Sequence, residues 1–152
     1  MVPTRRRCYV ASPLGFSAAG RHYYEHVYLP ALREVVDPVD PWSLTHPDEI
    51  AEAQHSGRQS ELWAEVGRRN IEAIRGCELL AAHLDGQEVD SGTASEVGFA
   101  AGIGVRCYGL RTDLRQSGEP GIAVNLQVQA FIEASGGRVV GTLTELLAAL
   151  AG

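Results

Sequence analysis

The stretch Leu79-Leu80-Ala81-Ala82-His83-Leu84-Asp85-Gly86-Gln87-Glu88-Val89-Asp90-Ser91-Gly92-Thr93-Ala94-Ser95-Glu96-Val97-Gly98 reads as a buried strand, a polar loop and the start of a glycine-bearing helix. Its first part is a short apolar run, the pattern of a strand covered on both faces. Working outward, similar runs occur at Cys8–Ala11, at Val35–Val36 with its approach to Pro38, at Val105–Leu110 and at a short Arg138–Val140. All are rich in Val, Leu or Tyr, which suit a pleated buried surface.

Longer amphipathic stretches separate these runs and predict helices over Ser17–Glu34, about Pro47–Arg75, Thr93–Gly102, Val124–Ala134 and Leu143–Leu150. Ser17 is placed to cap the first, Ser91 or Thr93 the third, and Gly136-Gly137 to close the fourth in a left-handed turn. Strands alternating with helices, with no internal repeat, predict an α/β fold: a flavodoxin-like three-layer sandwich with an about five-stranded parallel sheet and helices on both faces. At 152 residues and 16.3 kDa the whole of 1–152 fits a single domain with a core of its own. In such sheets ligands gather beyond the carboxyl ends of the strands. Four loops lie there: 12–20, 38–46, 85–96 and 111–125.

Thirteen basic residues against nineteen acidic ones give a formal charge of -6, which disfavours a nucleic acid polymer as partner and leaves a small neutral ligand compatible. Arg5-Arg6-Arg7 leads into an apolar stretch that meets Ser12, Pro13 and Gly15 almost at once. No segment approaches the roughly 20 apolar residues that cross a bilayer, so no membrane association and a cytoplasmic location are expected. Cys8, Cys77 and Cys107 cannot all pair and lack paired metal or redox spacing; they read as reduced core thiols.

The segment 85–98 places four carboxylates and three hydroxyls between strand and helix. A plain account makes it an acidic surface loop with a helix cap. Two details favour chemistry. Glu96 falls in the first turns of a helix whose other residues (Val97, Phe99, Ala100, Ile103) are apolar, which sets its carboxylate at the mouth of a crevice. Gly92, Gly98, Gly102 and Gly104 leave room for a ligand or another backbone to approach.

Asp90-Ser91-Gly92-Thr93-Ala94-Ser95-Glu96-Val97-Gly98-Phe99-Ala100 resembles the signature of the nucleoside 2-deoxyribosyltransferase family. Tyr9-Val10-Ala11-Ser12-Pro13-Leu14-Gly15-Phe16 is similar to that family's first strand and substrate loop, and Val124-Asn125-Leu126-Gln127 to its late helix start. Several motifs in the right order are more specific than any one alone.

The resemblance implies a covalent nucleophile at Glu96, a contact to the sugar 5'-hydroxyl at Asp90 and a positioning phenol at Tyr9. It also implies that Asn125 reaches the sugar site of a neighbouring subunit, hence a homo-oligomer, a dimer or higher. Ser12, Gly15, Phe16, Trp42, Asp85 and Gly92 complete the candidate substrate-binding set. Asn70 stands where well-known members place an aspartate that handles the proton on the leaving base, and an amide cannot deliver that proton. The family's C-terminal aromatic is also missing, since this chain ends in Leu150-Ala151-Gly152.

The implied reaction moves 2-deoxyribose between purine or pyrimidine bases, with slow hydrolysis when water intercepts the glycosyl-enzyme. No cofactor and no metal are called for. A 5'-monophosphate N-glycosidase is the alternative: Asp90 opposes it, since a carboxylate about 4 Å from a phosphate costs at least about 1 kcal/mol, while Ser12, Ser17 and Arg21 are candidates to cradle the phosphate. A nucleotide-binding sensor without turnover is a third reading. His22-Tyr23-Tyr24-Glu25-His26 fits the H-x-x-E-H zinc-peptidase pattern but reads here as one face of a first helix. His46, His55 and His83 have no partner evident in the sequence, and the 111–115 loop reads as surface ion pairs.

Overall fold

A computed structural model describes residues 5–152. Five strands, β1 (Arg7–Ala11), β2 (Asp37–Val39), β3 (Leu79–His83), β4 (Arg106–Leu110) and β5 (Val139–Val140), form one sheet in the order β2-β1-β3-β4-β5. Every pairing is parallel. This is the flavodoxin-like order, with its switch point between β1 and β3.

Among the described residues there are seven α-helices, α1 (Ala18–Tyr23), α2 (Leu29–Val35), α3 (Pro47–Ser56), α4 (Gln59–Arg75), α5 (Ser91–Gly102), α6 (Leu126–Ala134) and α7 (Leu143–Ala151), of which α3 packs on α4. Because side chains alternate along a strand, β1 and β3 feed two cores. Cys8, Val10, Leu79 and Ala81 pack with Leu29 and Leu32 of α2 and Leu146 and Leu150 of α7. Tyr9, Ala11, Leu80 and Ala82 pack with Ile74 of α4, Val97 and Ala100 of α5 and Ile132 of α6. All three cysteines are buried and free. No described helix is long and apolar enough to cross a membrane.

The structure corrects several expected boundaries. Val35 ends α2, Val36 is buried in extended conformation, and β2 begins at Asp37. Pro38 is tolerated inside β2 because β1 is its sole neighbour, so the missing N–H faces away from the ladder. The expected first helix is interrupted by a π turn over Tyr24–Tyr28, where the Leu29 N–H bonds to Tyr24 O, five residues back. Pro30 follows at once and has no N–H to continue the α-helical ladder. Gly57, at φ 70° and ψ 20°, splits the expected 47–75 helix into α3 and α4. The cap of α5 is Asp90, not Ser91 or Thr93, and α6 begins at Leu126, capped by Asn125. Ser17 caps α1 as expected, accepting from the Gly20 N–H at 3.0 Å.

Between α6 and β5, Gly136 has φ 90° and Gly137 runs so close to β4 that a Cβ would lie 1.6 Å from Cys107 O. Because that obstacle is backbone, Gly137→Ala is expected to lower the unfolding free energy by about 2 kcal/mol or more. Gly102→Ala, whose added methyl meets nothing within 4 Å, is expected to raise it by roughly 0.5 kcal/mol. Urea denaturation midpoints of the two variants check both signs.

Candidate active site

The carboxyl ends of β1 and β3 diverge at the switch point, and a cavity of about 360 Å³ opens there. Its walls come from four places. Ser12 and Phe16 follow β1, Pro41 and Trp42 follow β2, Asp90, Gly92, Thr93 and Glu96 belong to the cap and first turns of α5, and Trp63, Val66 and Asn70 come from α4. The α4 residues sit at i, i+3 and i+7, one stripe of a helix.

At the junction of β1 and α5 the Tyr9 hydroxyl donates to Glu96 Oε1 at 2.6 Å. Tyr9 is fully buried, so its ring is fixed and the phenol can point only along this line. Burial, followed by the Glu96 charge, pushes the Tyr9 pKa far up, and the group stays a donor. Glu96 feels opposed influences: burial raises its pKa most, the Tyr9 hydrogen bond lowers it, and the Asp90 charge raises it again.

Asp90 is the N-cap of α5, and its Oδ2 accepts from the Thr93 N–H at 2.9 Å and the Thr93 hydroxyl at 3.1 Å. Thr93 is buried. Its two donors pin one carboxylate oxygen and leave the other for a ligand. Asn70 Oδ1 is buried with no hydrogen-bond partner, so the α4 wall carries an unsatisfied acceptor. Phe16 meets Trp42 edge to face at 4.8 Å, which makes an aromatic lip with Trp63 on the other side.

Among the described residues, two carboxylates and no cation line the cavity. The proposed phosphate cradle is not assembled: Ser17 is spent as the α1 cap, and Arg21 donates to Gly15 O at 3.3 Å and borders a different cavity.

Of the residues singled out from sequence, Glu96, Tyr9, Asp90, Ser12, Phe16, Trp42, Asn70 and Gly92 come together here. Gly15 does not line this cavity; a Cβ there would lie 2.5 Å from the Trp42 ring, so its role is to seat the indole. Asp85 lies outside as well. It accepts from the Thr112 N–H and hydroxyl and from the Asp113 N–H, and thereby ties the loop after β3 to the loop after β4. Asn125 caps α6 through the Gln127 and Val128 N–H groups and borders a separate shallow groove with Phe99 and Phe131.

Sequence reasoning missed Trp63, Val66, Pro41 and Thr93. The α4 spacing was visible, but an apolar stripe on an amphipathic helix reads as core. The surface ion pair expected of the 111–115 loop forms between Arg115 and Asp113 at 2.5 Å, whereas Arg111 is buried and donates to Leu84 O, Gly86 O and Arg115 O. His46 has a partner after all, in a capping box with Glu49. His22 and His26 stack at 4.4 Å, and among the described residues no cluster of three or more His, Cys, Asp or Glu side chains is arranged to hold a metal.

This architecture, a switch-point cavity with a buried phenol on a helix-borne carboxylate, fits an enzyme of glycosyl chemistry. The nucleoside 2-deoxyribosyltransferase family model matches residues 8–137, and the chain belongs to that family. Membership places it among enzymes that transfer or hydrolyse glycosyl groups. Among solved structures it is similar to a conserved protein from Enterococcus faecalis V583, at 26% identity and TM-score 0.68, over 97% of this chain and 98% of that one. A 2-deoxyribosyltransferase from Bacillus psychrosaccharolyticus shares the fold at 16% identity and TM-score 0.64, over 93% and 90%. So does a CMP N-glycosidase from Clostridium botulinum, at 18% identity and TM-score 0.52, over 94% and 95%. No curated protein matches the chain in sequence.

The opposed influences on Glu96 predict two shifts of opposite sign in its titration. Tyr9→Phe removes the hydrogen bond that lowers the Glu96 pKa, so the carboxyl titrates at higher pH. Asp90→Asn removes a charge that raises it, so the carboxyl titrates at lower pH. NMR titration of the Glu96 carboxyl across pH 4–8 in each variant checks the pair, and shifts of equal sign would contradict the assignment.

Proposed function

We propose that this protein transfers 2-deoxyribose between nucleobases by ping-pong chemistry through a glycosyl ester on Glu96. In the first half, Glu96 Oε attacks C1' as the bond from C1' to the base nitrogen breaks, and the electron pair leaves with the base, which takes up a proton from solvent. In the second, the nitrogen of another base attacks C1' from the face that the first base left, Glu96 departs as carboxylate, and the incoming nitrogen sheds its proton to solvent. Two inversions give net retention. Deoxyribose suits the route, because without a 2'-hydroxyl the oxocarbenium-like transition state forms more readily. Water in place of the second base gives slow hydrolysis.

The observation that carries this reading is the bond between the buried Tyr9 hydroxyl and Glu96 at a cavity edge. It aims the second carboxylate oxygen and helps to keep Glu96 ionised despite burial. Asp90, oriented by Thr93, is assigned to the sugar 5'-hydroxyl. The aromatic lip and the α4 wall are assigned to the base, with Asn70 Oδ1 accepting from a base N–H.

Free nucleosides are preferred over 5'-monophosphates because the cavity lining holds Asp90 and Glu96 without a compensating cation. The 5'-monophosphate N-glycosidase remains the second reading, favoured by the shared fold with the CMP N-glycosidase. Asn125, Phe99 and Phe131, on the exposed groove of α5 and α6, are assigned to contact with a second subunit in a cytoplasmic homo-oligomer.

Incubation with a deoxynucleoside and a different free base is expected to yield the new deoxynucleoside, seen by chromatography. Glu96→Ala should lower exchange by at least about a thousandfold, and mass spectrometry of the quenched wild type should find deoxyribose on the peptide containing Glu96. Base release from the 5'-monophosphate alone would favour the hydrolase. Binding without turnover in wild type would favour the sensor.

Asn70→Asp would place a carboxyl against the base. It is expected to speed cleavage most on the acid side of the profile, where that carboxyl is protonated and can deliver a proton to the leaving nitrogen. Single-turnover base release at pH 5 and pH 7 checks this.

A further inference from the structure

A second cavity, of about 470 Å³, lies directly behind the first. The same two backbone segments separate them: Gly15 faces the second chamber and Phe16 the first, Asp40 the second and Pro41 the first, while the Trp42 side chain borders both. Trp42 is therefore the shared wall.

The two ends of that wall are held very differently. The Trp42 backbone N–H donates to Asp40 Oδ1 at 3.0 Å, and the same oxygen accepts from the Tyr24 hydroxyl at 2.8 Å. Among the described residues no hydrogen bond holds the indole N–H, and the side chain rests on the bare Cα of Gly15 and the edge of Phe16. Trp42 is 41% exposed and Phe16 74%. An anchored backbone bearing an indole kept only by contact can change rotamer without disturbing β2. In the second chamber Thr45 Oγ1 is buried and lacks a hydrogen-bond partner, a cost that a ligand group would remove. Leu29, Pro47 and Ile50 supply an apolar surface beside it, and Asp40, Glu25 and Arg21 add charged groups to the same lining.

Resting on the reading of the first cavity as a nucleoside site, we propose that Trp42 is a movable partition and that the second chamber accepts the arm of an enlarged nucleobase, a purine bearing a neutral or cationic alkyl or aryl substituent. The plain base needs only the first cavity. The armed base displaces the indole and lays its substituent against Ile50 and Thr45.

The test compares adenine with adenines carrying a benzyl arm at N6, C2 or C8, as acceptors in exchange and, by equilibrium dialysis, as free ligands that require no turnover. Ile50→Phe fills the chamber away from the reacting groups. It is expected to lower use of at least one armed base by about tenfold or more while leaving adenine unchanged, and Trp42→Ala is expected to raise the armed-to-plain ratio by a similar factor. The dialysis constants should move in the same sense. If every armed base is refused by wild type and by Trp42→Ala, or if both variants change plain and armed bases by one common factor, the partition is a fixed wall and the inference falls. Absence of exchange with adenine itself would count against the transferase reading, while the dialysis ratios would still decide the chamber.

Discussion

The hydrogen bond from the Tyr9 hydroxyl to Glu96 joins the middle of β1 to the second turn of α5 across the point where strand order reverses. It depends on a constraint set far below it: Tyr9 is fully buried in the core beneath α4, α5 and α6, so the phenol has one direction in which to point. That fixed donor meets a carboxylate whose burial raises its pKa, a rise that the hydrogen bond opposes without cancelling. A carboxylate taken partly out of water is a stronger nucleophile if it can be kept charged, and one well-aimed hydrogen bond to the charged form opposes the desolvation penalty. The chemistry of the cavity thus begins in the packing of the sheet.

The next requirement is that α5 start at the right place. Asp90 caps it, and Thr93 supplies both a backbone and a side-chain donor to the same oxygen. The loop leading to Asp90 is laced to the loop after β4 from both sides. Asp85 accepts from the 112–113 backbone, Asp113 accepts from the Gly86 N–H, and the Arg111 guanidinium donates to Leu84 O and Gly86 O. Buried carbonyls at the ends of strands need donors, and here those donors also stiffen the base of the site. Asp85 and Arg111 shape the cavity without touching it.

Net acidity runs through the design. A chain of charge -6 lines the switch-point cavity with two carboxylates and closes its other end with indole rings and an unpaired amide oxygen. Gly15 makes the aromatic end possible, because any Cβ there would occupy the space of the Trp42 ring.

Much of this was legible in the order of residues. The alternation of apolar runs and amphipathic stretches determined a parallel sheet with helices on both faces, and the 85–98 segment singled out Glu96, a carboxylate on an otherwise apolar helix start among glycines, whereas Asp90 took its role from the resemblance and is also the helix cap that a plain reading allows. Tyr9 was named only through resemblance, since an aromatic in a buried strand looks like core until its partner is seen. What only the tertiary structure decided came from contacts distant in sequence or from backbone geometry. Trp63 and Val66, beside the Asn70 that the resemblance had already named, became cavity lining once α4 was set beside α5. Pro38 sat inside a strand because the strand was an edge. Asp85 and Arg111 turned inward to serve each other's loops. Periodicity reports which face of an element is apolar, and that is local. Whether the face meets a core or a cavity depends on what the rest of the chain brings opposite it, and no local pattern carries that information.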